Sequence, residues 1–299
     1  MGLPGSEHMP ELLDGKRPEF IGSLSMKRSS AKAIQSVADG LKLAHRGAGE
    51  KLTPKQVRTQ QLIGSEKFIE RVHPRASLLL HRLSCVMSSP PPEAYDIARV
   101  VLLLMWDERE TGITFGGGGL TASPRLEGAL GACIDLSEPA PAELIAHADA
   151  TWGDRNVYGL IITYAGAAIL HAVKKISMIV DSSMEAESIG TSKAGESIAY
   201  AREILRAFGV PPAGPTIITT DNSSNQSVAS GVGCPTRSKH FLRRYHVLRQ
   251  RIRSAEVELR HVPDEEMPAD FLTKWIPRKK LDISVRYATN SHGTISASA

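Results

Sequence analysis

The feature that most limits how this chain can fold is a change of texture after Pro141. Residues 144–150, 157–164 and 168–174 are short apolar runs separated by the turn residues Gly153-Asp154 and Gly166, a pattern that predicts three antiparallel strands. A helical pattern then extends over 183–208 and is stopped by Gly209 and Pro211-Pro212. The β-branched run 216–220 predicts a buried strand, 222–230 a short helix, 242–253 a longer basic helix, 257–262 a last strand and 268–274 a short closing helix. Three strands, a helix, a strand, two helices, a strand and a helix form an α/β order around a mixed five-stranded sheet flanked by helices.

The preceding stretch is different. Residues 1–55 are rich in Gly, Ser, Lys and Arg with little apolar periodicity, so a flexible or partly ordered segment is expected, with 31–44 as its one helix candidate. Residues 56–120 read as mostly helical, with a break at 88–92 between helices over 76–87 and 93–106. In the second helix Ala94, Ile97, Ala98, Val101 and Leu104 recur at three- and four-residue steps. The run Gly116–Gly119 lacks the spacing of a phosphate-cradling loop and reads as a turn before the next unit, expected over 140–276, with 277–299 as a tail.

Composition sets outer limits. Hydrophobic residues make up 41% and charged residues 23%, as in a globular protein with a core. The 3 cysteines, Cys85, Cys133 and Cys234, form no CxxC pair, which argues against a zinc site or disulfide framework and for a reducing compartment. The longest apolar stretch, 97–106, is interrupted by Arg99, and no signal-peptide core is present, so a cytoplasmic or nuclear rather than secreted protein is expected. A net charge of +4 is compatible with a polyanionic partner without requiring one.

Four acids stand where a sheet could gather them. Asp149 is in or at the end of the first strand, Asp221 directly follows 216–220, and Asp270 is near the start of 268–274. Asp221 could equally cap the next helix or sit in a turn, and Asp270 could be a first-turn acid. On the long helix Glu187, Thr191, Ala194, Ile198, Ala201, Leu205 and Phe208 form one stripe, so Glu187 is expected to face the sheet. Glu185, in phase with Ser188, Ser192, Glu196 and Glu203, is expected to face water. A carboxylate on an inward stripe is costly unless paired or metal-bound, although a first-turn acid is also favoured by the helix dipole.

The stretch from Ala146 to Lys274 resembles the ribonuclease H domain of copia-type retrotransposon polyproteins. His147-Ala148-Asp149-Ala150-Thr151-Trp152-Gly153-Asp154 is similar to the family's D-A-D-W-A-G-D, with Thr151 in place of the second Asp. Lys174-Lys175 ends a run like I-S-W-x-S-K-K, with His171 for Trp. Ser182-Ser183-Met184-Glu185-Ala186-Glu187 is close to S-S-T-E-A-E, with Ser188 for the Tyr that usually follows. Asp221-Asn222 matches D-N, and Arg237-Ser238-Lys239-His240 with Arg243 and Tyr245-His246 resembles R-T-K-H-x-x-x-R-Y-H, with Leu242 for Asp. Val262-Pro263 and Pro268-Ala269-Asp270-Phe271-Leu272-Thr273-Lys274 resemble V-P-T-x-x-x-x-A-D-x-F-T-K. Upstream, Leu62-Ile63-Gly64-Ser65, His73-Pro74-Arg75 and Leu83-Ser84-Cys85-Val86-Met87 look more loosely like the end of the family's reverse transcriptase. The chain contains no x-D-D polymerase signature, so DNA synthesis is not expected of it.

The resemblance implies an RNA–DNA hybrid endonuclease that uses two Mg²⁺ ions, with Mn²⁺ as a substitute, held by Asp149, Glu187, Asp221 and Asp270, with Asp149 bridging both. Two such ions would activate a water and stabilise the leaving 3′ oxygen. It implies as partners the hybrid and the reverse-transcriptase portion of the same polyprotein, with a virus-like particle as one setting. Candidate contacts to the nucleic acid are Lys174, Lys175, Asn222, Lys239, His240, Arg243 and Arg244, joined by Arg249, Arg251 and Arg253, each of which could also be ordinary solvated surface. His240 and His246 could assist proton transfer or simply pack. Two alternatives stay open: a remnant that keeps the fold without activity, and a nucleic-acid-binding module that needs no metal.

Overall fold

The computed structural model describes residues 31–47, 49–116, 143–153, 155–229 and 242–290, with backbone only at 228 and 242–245. The chain divides into two units, residues 1–110 and 111–299.

The first unit is helical: α1 (Ala31–Gly40), α2 (Pro54–Ile69), α3 (Ser77–Cys85) and α4 (Pro92–Asp107). Thr53 starts α2 with a reciprocal cap, its Oγ1 accepting the Gln56 N–H at 3.3 Å while Gln56 Oε1 accepts the Thr53 N–H at 2.9 Å. Pro54 and Pro92 occupy first-turn positions, where a missing N–H costs nothing. Ala94, Ile97, Ala98, Val101 and Met105 bury against Ile63, Leu80 and Leu83; Leu104, expected on that stripe, is only partly covered. Thr59, Ile63 and Glu66 form the buried stripe of α2.

The second unit is built on β1 (Ile145–Thr151), β2 (Val157–Tyr164), β3 (Ala167–Lys175), β4 (Thr216–Thr220) and β5 (Val257–His261), in the order β3-β2-β1-β4-β5. β2 runs antiparallel to β1 and β3, whereas β4 is parallel to β1 and β5 to β4. This is the mixed five-stranded sheet flanked by helices that the sequence predicts. α5 (Ser183–Ala207) covers one face, and its Ala194, Ile198, Ala201 and Leu205 share a core with Ala146, Ala148, Leu160, Ile162 and Ile218. α6 (Ser223–Ala229) and α7 (Leu242–Arg253) follow in the expected places.

Three expectations need correction. Glu185 does not face water: it is buried, and its Oε2 accepts the Asp181 N–H at 2.8 Å while its own N–H donates to Ser182 Oγ at 3.3 Å. Ser188 and Ser192 are buried too, because small side chains let the first half of α5 be covered all round; only further along do Glu196 and Glu203 reach solvent. Second, the short closing helix expected over 268–274 is present but shorter, a single 3-10 turn over Asp270–Leu272. Third, the region expected as a tail contains α8 (Arg278–Thr289), which buries Ser284, Val285, Tyr287 and Ala288. The Tyr287 hydroxyl meets His147 Nε2 at 2.7 Å, and His147 Nδ1 meets Thr219 Oγ1 at 2.7 Å, tying α8 to β1 and β4. Asn290, left-handed at φ 50°, donates to the carbonyls of Thr114 at 3.0 Å and Gly116 at 3.1 Å. The glycines after Gly116 in the run Gly116–Gly119, as well as Cys133, Asp154, Cys234, Lys239 and His240, lie outside the described residues.

Candidate functional site

The parallel pairing of β1 with β4 stops at His147 and Thr219. Two residues further, each strand delivers an acid, Asp149 and Asp221, to the end where the two strands separate. The carboxyl ends of parallel strands at such a split are where α/β sheets form their crevices. Antiparallel pairing sets Gly159 of β2 opposite Asp149. A Cβ on Gly159 would lie 2.6 Å from Leu272 Cβ and 3.0 Å from Thr273 Cγ2, so only glycine lets the Asp270–Leu272 turn close on the sheet. Gly190 of α5 is under no such constraint, since a Cβ there would meet the Asp149 carbonyl oxygen at 3.5 Å, an ordinary van der Waals contact.

The sequence-derived acids therefore meet. Asp149, Glu187 and Asp221 each bring a carboxylate oxygen within 4.8 Å of the others. Asp221, Asp264 and Asp270 form a second group by the same measure, so Asp221 rather than Asp149 is common to both. Asp264, from the turn Asp264–Glu266 after β5, is a member that sequence reasoning missed. Nothing in its local pattern distinguishes it from an exposed turn acid.

The capping role open to Asp221 is taken by its neighbour. Asn222, not Asp221, caps α6: its Oδ1 accepts the Asn225 N–H at 2.8 Å. Glu187 Oε1 accepts the Ala150 N–H of β1 at 3.0 Å, while its Oε2 is buried with no hydrogen-bond partner. The Thr273 hydroxyl donates to Asp149 Oδ2. Lys274 Nζ sits among the acids, 3.1 Å from Asp264, 3.2 Å from Asp270, 3.7 Å from Asp149 and 3.9 Å from Asp221. Lys280 of α8 is paired with the other oxygen of Asp270.

Electrostatics follow from crowding acids in a dry place. Burial, and then the Asp270 charge, pushes the Asp149 carboxyl up to about 7. Glu187 is raised by burial and by Asp149 and Asp221. Burial raises Asp221 and Asp270 as well, opposed by Lys274 at the first and mainly by a hydrogen bond from Lys280 at the second. Burial opposes the charge on Lys274, but Asp149 and Asp270 outweigh it and raise its pKa. The cluster holds more negative charge than its two lysines balance, and its donors are hard oxygens of the kind Mg²⁺ and Mn²⁺ accept. The unpartnered Glu187 Oε2 is a buried acceptor that lacks only a cation, so the residues fit a divalent metal.

Lys174 and Lys175 are exposed at the end of β3 that pairs with Tyr158 and Val157, the same sheet end as Asp149. Arg251 is engaged by Glu256 at 2.7 Å, whereas Arg253 and His246 are exposed. Arg243 and Arg244 lie in α7, with only their backbone described.

No protein-family model matches the chain. It is 25% identical over 236 residues to the Retrovirus-related Pol polyprotein from transposon RE2 of Arabidopsis thaliana, covering 77% of this chain and 15% of that protein. It is 26% identical over 163 residues to the corresponding polyprotein from transposon TNT 1-94 of Nicotiana tabacum, covering 53% of this chain and 12% of that protein. The chain is thus a distant homologue of copia-type Pol polyproteins and spans about 15% of the length of the Arabidopsis relative. A match over 77% of the chain is longer than residues 111–299, so the similarity extends into the helical unit. Among solved structures, the chain is similar to LC11-RNase H1 in complex with an RNA/DNA hybrid, at 14% identity and a TM-score of 0.35, covering 44% of this chain and 93% of that one. The N-terminal RNase H domain of Rv2228c from Mycobacterium tuberculosis gives 16% identity and a TM-score of 0.34, covering 50% and 99%. Among the described residues no helix is long and apolar enough to cross a membrane.

Proposed function

We propose that this chain is a ribonuclease H of a copia-type retroelement, hydrolysing the RNA strand of RNA–DNA hybrids with divalent metal ions. The observation that carries the reading is the convergence of Asp149, Glu187 and Asp221 within 4.8 Å at the split between β1 and β4. Asp149, Glu187 and Asp221 would hold one ion, and Asp221 with Asp270 would hold the second. Bound there, Mg²⁺ would supply an activated water and stabilise the departing 3′ oxygen, leaving 5′-phosphate and 3′-hydroxyl ends.

The chain's own groups prepare that site. The Ala150 N–H fixes one oxygen of Glu187 and leaves the other buried without a hydrogen-bond partner. The Thr273 hydroxyl holds the Asp149 carboxylate in place. Burial of Asp149, Glu187 and Asp270 keeps bulk water from competing for their oxygens. Lys174 and Lys175 would contact phosphates, and Lys239, His240, Arg243 and Arg244 are further candidates. Asn222 would act by capping α6 beside Asp221 as well as by any contact of its own. The hybrid would be chosen by duplex shape and RNA 2′-hydroxyls. The helical unit would join the reverse-transcriptase portion of the polyprotein.

The test is cleavage of a hybrid labelled in its RNA strand, with Mg²⁺ or Mn²⁺ and then with chelator. Metal-dependent cutting of RNA, with the DNA strand and duplex DNA left intact, supports the reading. A folded chain that binds hybrid equally with and without metal and never cuts would replace it with the binding module.

A further inference from the structure

We propose that Lys280, on α8, is a built-in competitor for one of the two cation positions: its ammonium neutralises the Asp264–Asp270 side of the cluster, and a divalent ion gains that side only by displacing it. This inference rests on reading the acids as a metal centre.

The two halves of the cluster are not alike. Among the described residues the Asp149–Glu187–Asp221 side makes ion pairs with Lys274, at 3.7 Å from Asp149 and 3.9 Å from Asp221. On the other side Lys280 Nζ pairs with Asp270 Oδ2, donates to the Asp264 carbonyl and lies 3.7 Å from Asp264 Oδ2. Lys274 reaches Asp270 Oδ1 at 3.2 Å, so both oxygens of that carboxylate face an ammonium. The Asp270 side chain is 1% exposed and that of Lys280 19%, which removes much of the water that weakens surface pairs.

Lys280 is also delivered by a fixed element. Its helix is pinned seven residues further on, about two turns, by the Tyr287–His147–Thr219 chain of hydrogen bonds. Asn290 then ties the end of α8 to the carbonyls of Thr114 and Gly116. The ammonium is therefore held over Asp270 by the fold, not by chance encounter of a surface side chain. An ammonium is a compact cation with three donors, and a carboxylate oxygen it occupies is not free to ligate a metal. Mg²⁺ sheds its waters reluctantly, so a cation already in place is a strong rival.

Two unequal divalent-ion affinities follow, the weaker belonging to the Asp264–Asp270 side. Calorimetric titration of the full chain with MnCl₂ tests this in wild type, Lys280→Met, Lys280→Gln and Lys280→Arg. Removing the charge should strengthen the weaker affinity roughly tenfold, about the worth of one charge-assisted hydrogen bond. Lys280→Arg should stay close to wild type. A second reading needs no variant: in nuclear magnetic resonance of lysine side chains, the Lys280 ammonium signal should shift as the second equivalent of Mg²⁺ binds. Wild-type affinities in both neutral variants, or a Lys280 signal indifferent to Mg²⁺ while both ions bind, overturns the competitor and leaves the metal centre standing. No divalent-ion binding in any chain overturns both.

Discussion

Glu66 in the helical unit and Glu187 in the sheet unit are both buried glutamates on the inward stripe of a helix, each with an oxygen that no hydrogen bond reaches. Their surroundings separate them. Both oxygens of Glu66 are unpartnered, and burial alone raises its carboxyl to about 9. Glu187 is also raised by burial, but Asp149 and Asp221 add to it, and one of its oxygens is fixed by a backbone N–H. An isolated acid in a core settles its account by keeping a proton. Acids that share an open sheet end with one another gain a second option, a shared cation. Burial by itself is therefore a poor guide to a site; the company a buried acid keeps is the better one.

The largest expected contrast is in activity. Asp149→Asn or Glu187→Gln should lower hybrid cleavage by about 10³-fold or more, and Glu66→Gln should leave it near wild type. Single-turnover cleavage rates measure this, and equal losses in Glu187→Gln and Glu66→Gln would erase the distinction.

The next contrast is in stability against pH. Glu66 has a folded pKa of about 9 against an ordinary 4.5, so the folded chain keeps a proton that the unfolded chain releases. Stability is then greatest below the unfolded value and falls as pH rises from about 4.5 towards 9. By pH 7 the loss is about 3 kcal/mol, and Glu66→Gln should recover about that much and flatten the dependence. Urea unfolding followed by circular dichroism from pH 5 to 8 reads it; a flat wild-type profile would mean Glu66 is not a buried neutral acid.

Metal should divide the two units. Mg²⁺ at a hundred times its dissociation constant should stabilise the sheet unit by about 2.7 kcal/mol. Hydrogen exchange should slow in β1 and α5 and not in α2; uniform slowing in all three, or none, argues against a site confined to the sheet. The smallest effect is expected at Gly159→Ala. The new methyl must push back Leu272 and Thr273, at about 2 kcal/mol, and cleavage should fall with the displaced Asp270. Unchanged melting and cleavage in that variant would show the turn to be looser than the packing implies.

What was legible in the sequence follows from range. β2, β4 and α7 were readable to the residue because their patterns are local: apolar or β-branched runs, or a basic helical stretch, between turn residues. Glu187 was readable from helical phase. The same phase points Glu185 to water, yet phase names a face and not what covers it, and Glu185 is buried along with Ser188 and Ser192. Asp264 and Lys280 carried no signal, because what puts them in the cluster is where a turn and a distant helix dock. Arg278-Lys279-Lys280 reads as a short basic run until α8 turns Lys280 onto Asp270. Asn222 and Asp221 illustrate the remaining ambiguity: two adjacent residues could each cap α6, and only geometry shows that Asn222 does, leaving the Asp221 carboxylate for the cluster.

The central claim is that these acids exist to hold divalent ions. Its most direct test is an anomalous difference map from a crystal of this chain grown with Mn²⁺. Two peaks about 4 Å apart, within ligand distance of Asp149, Glu187, Asp221 and Asp270, are the predicted result. A map with no peak at the split between β1 and β4, in a crystal whose Mn²⁺ concentration suffices for cleavage in solution, would contradict it.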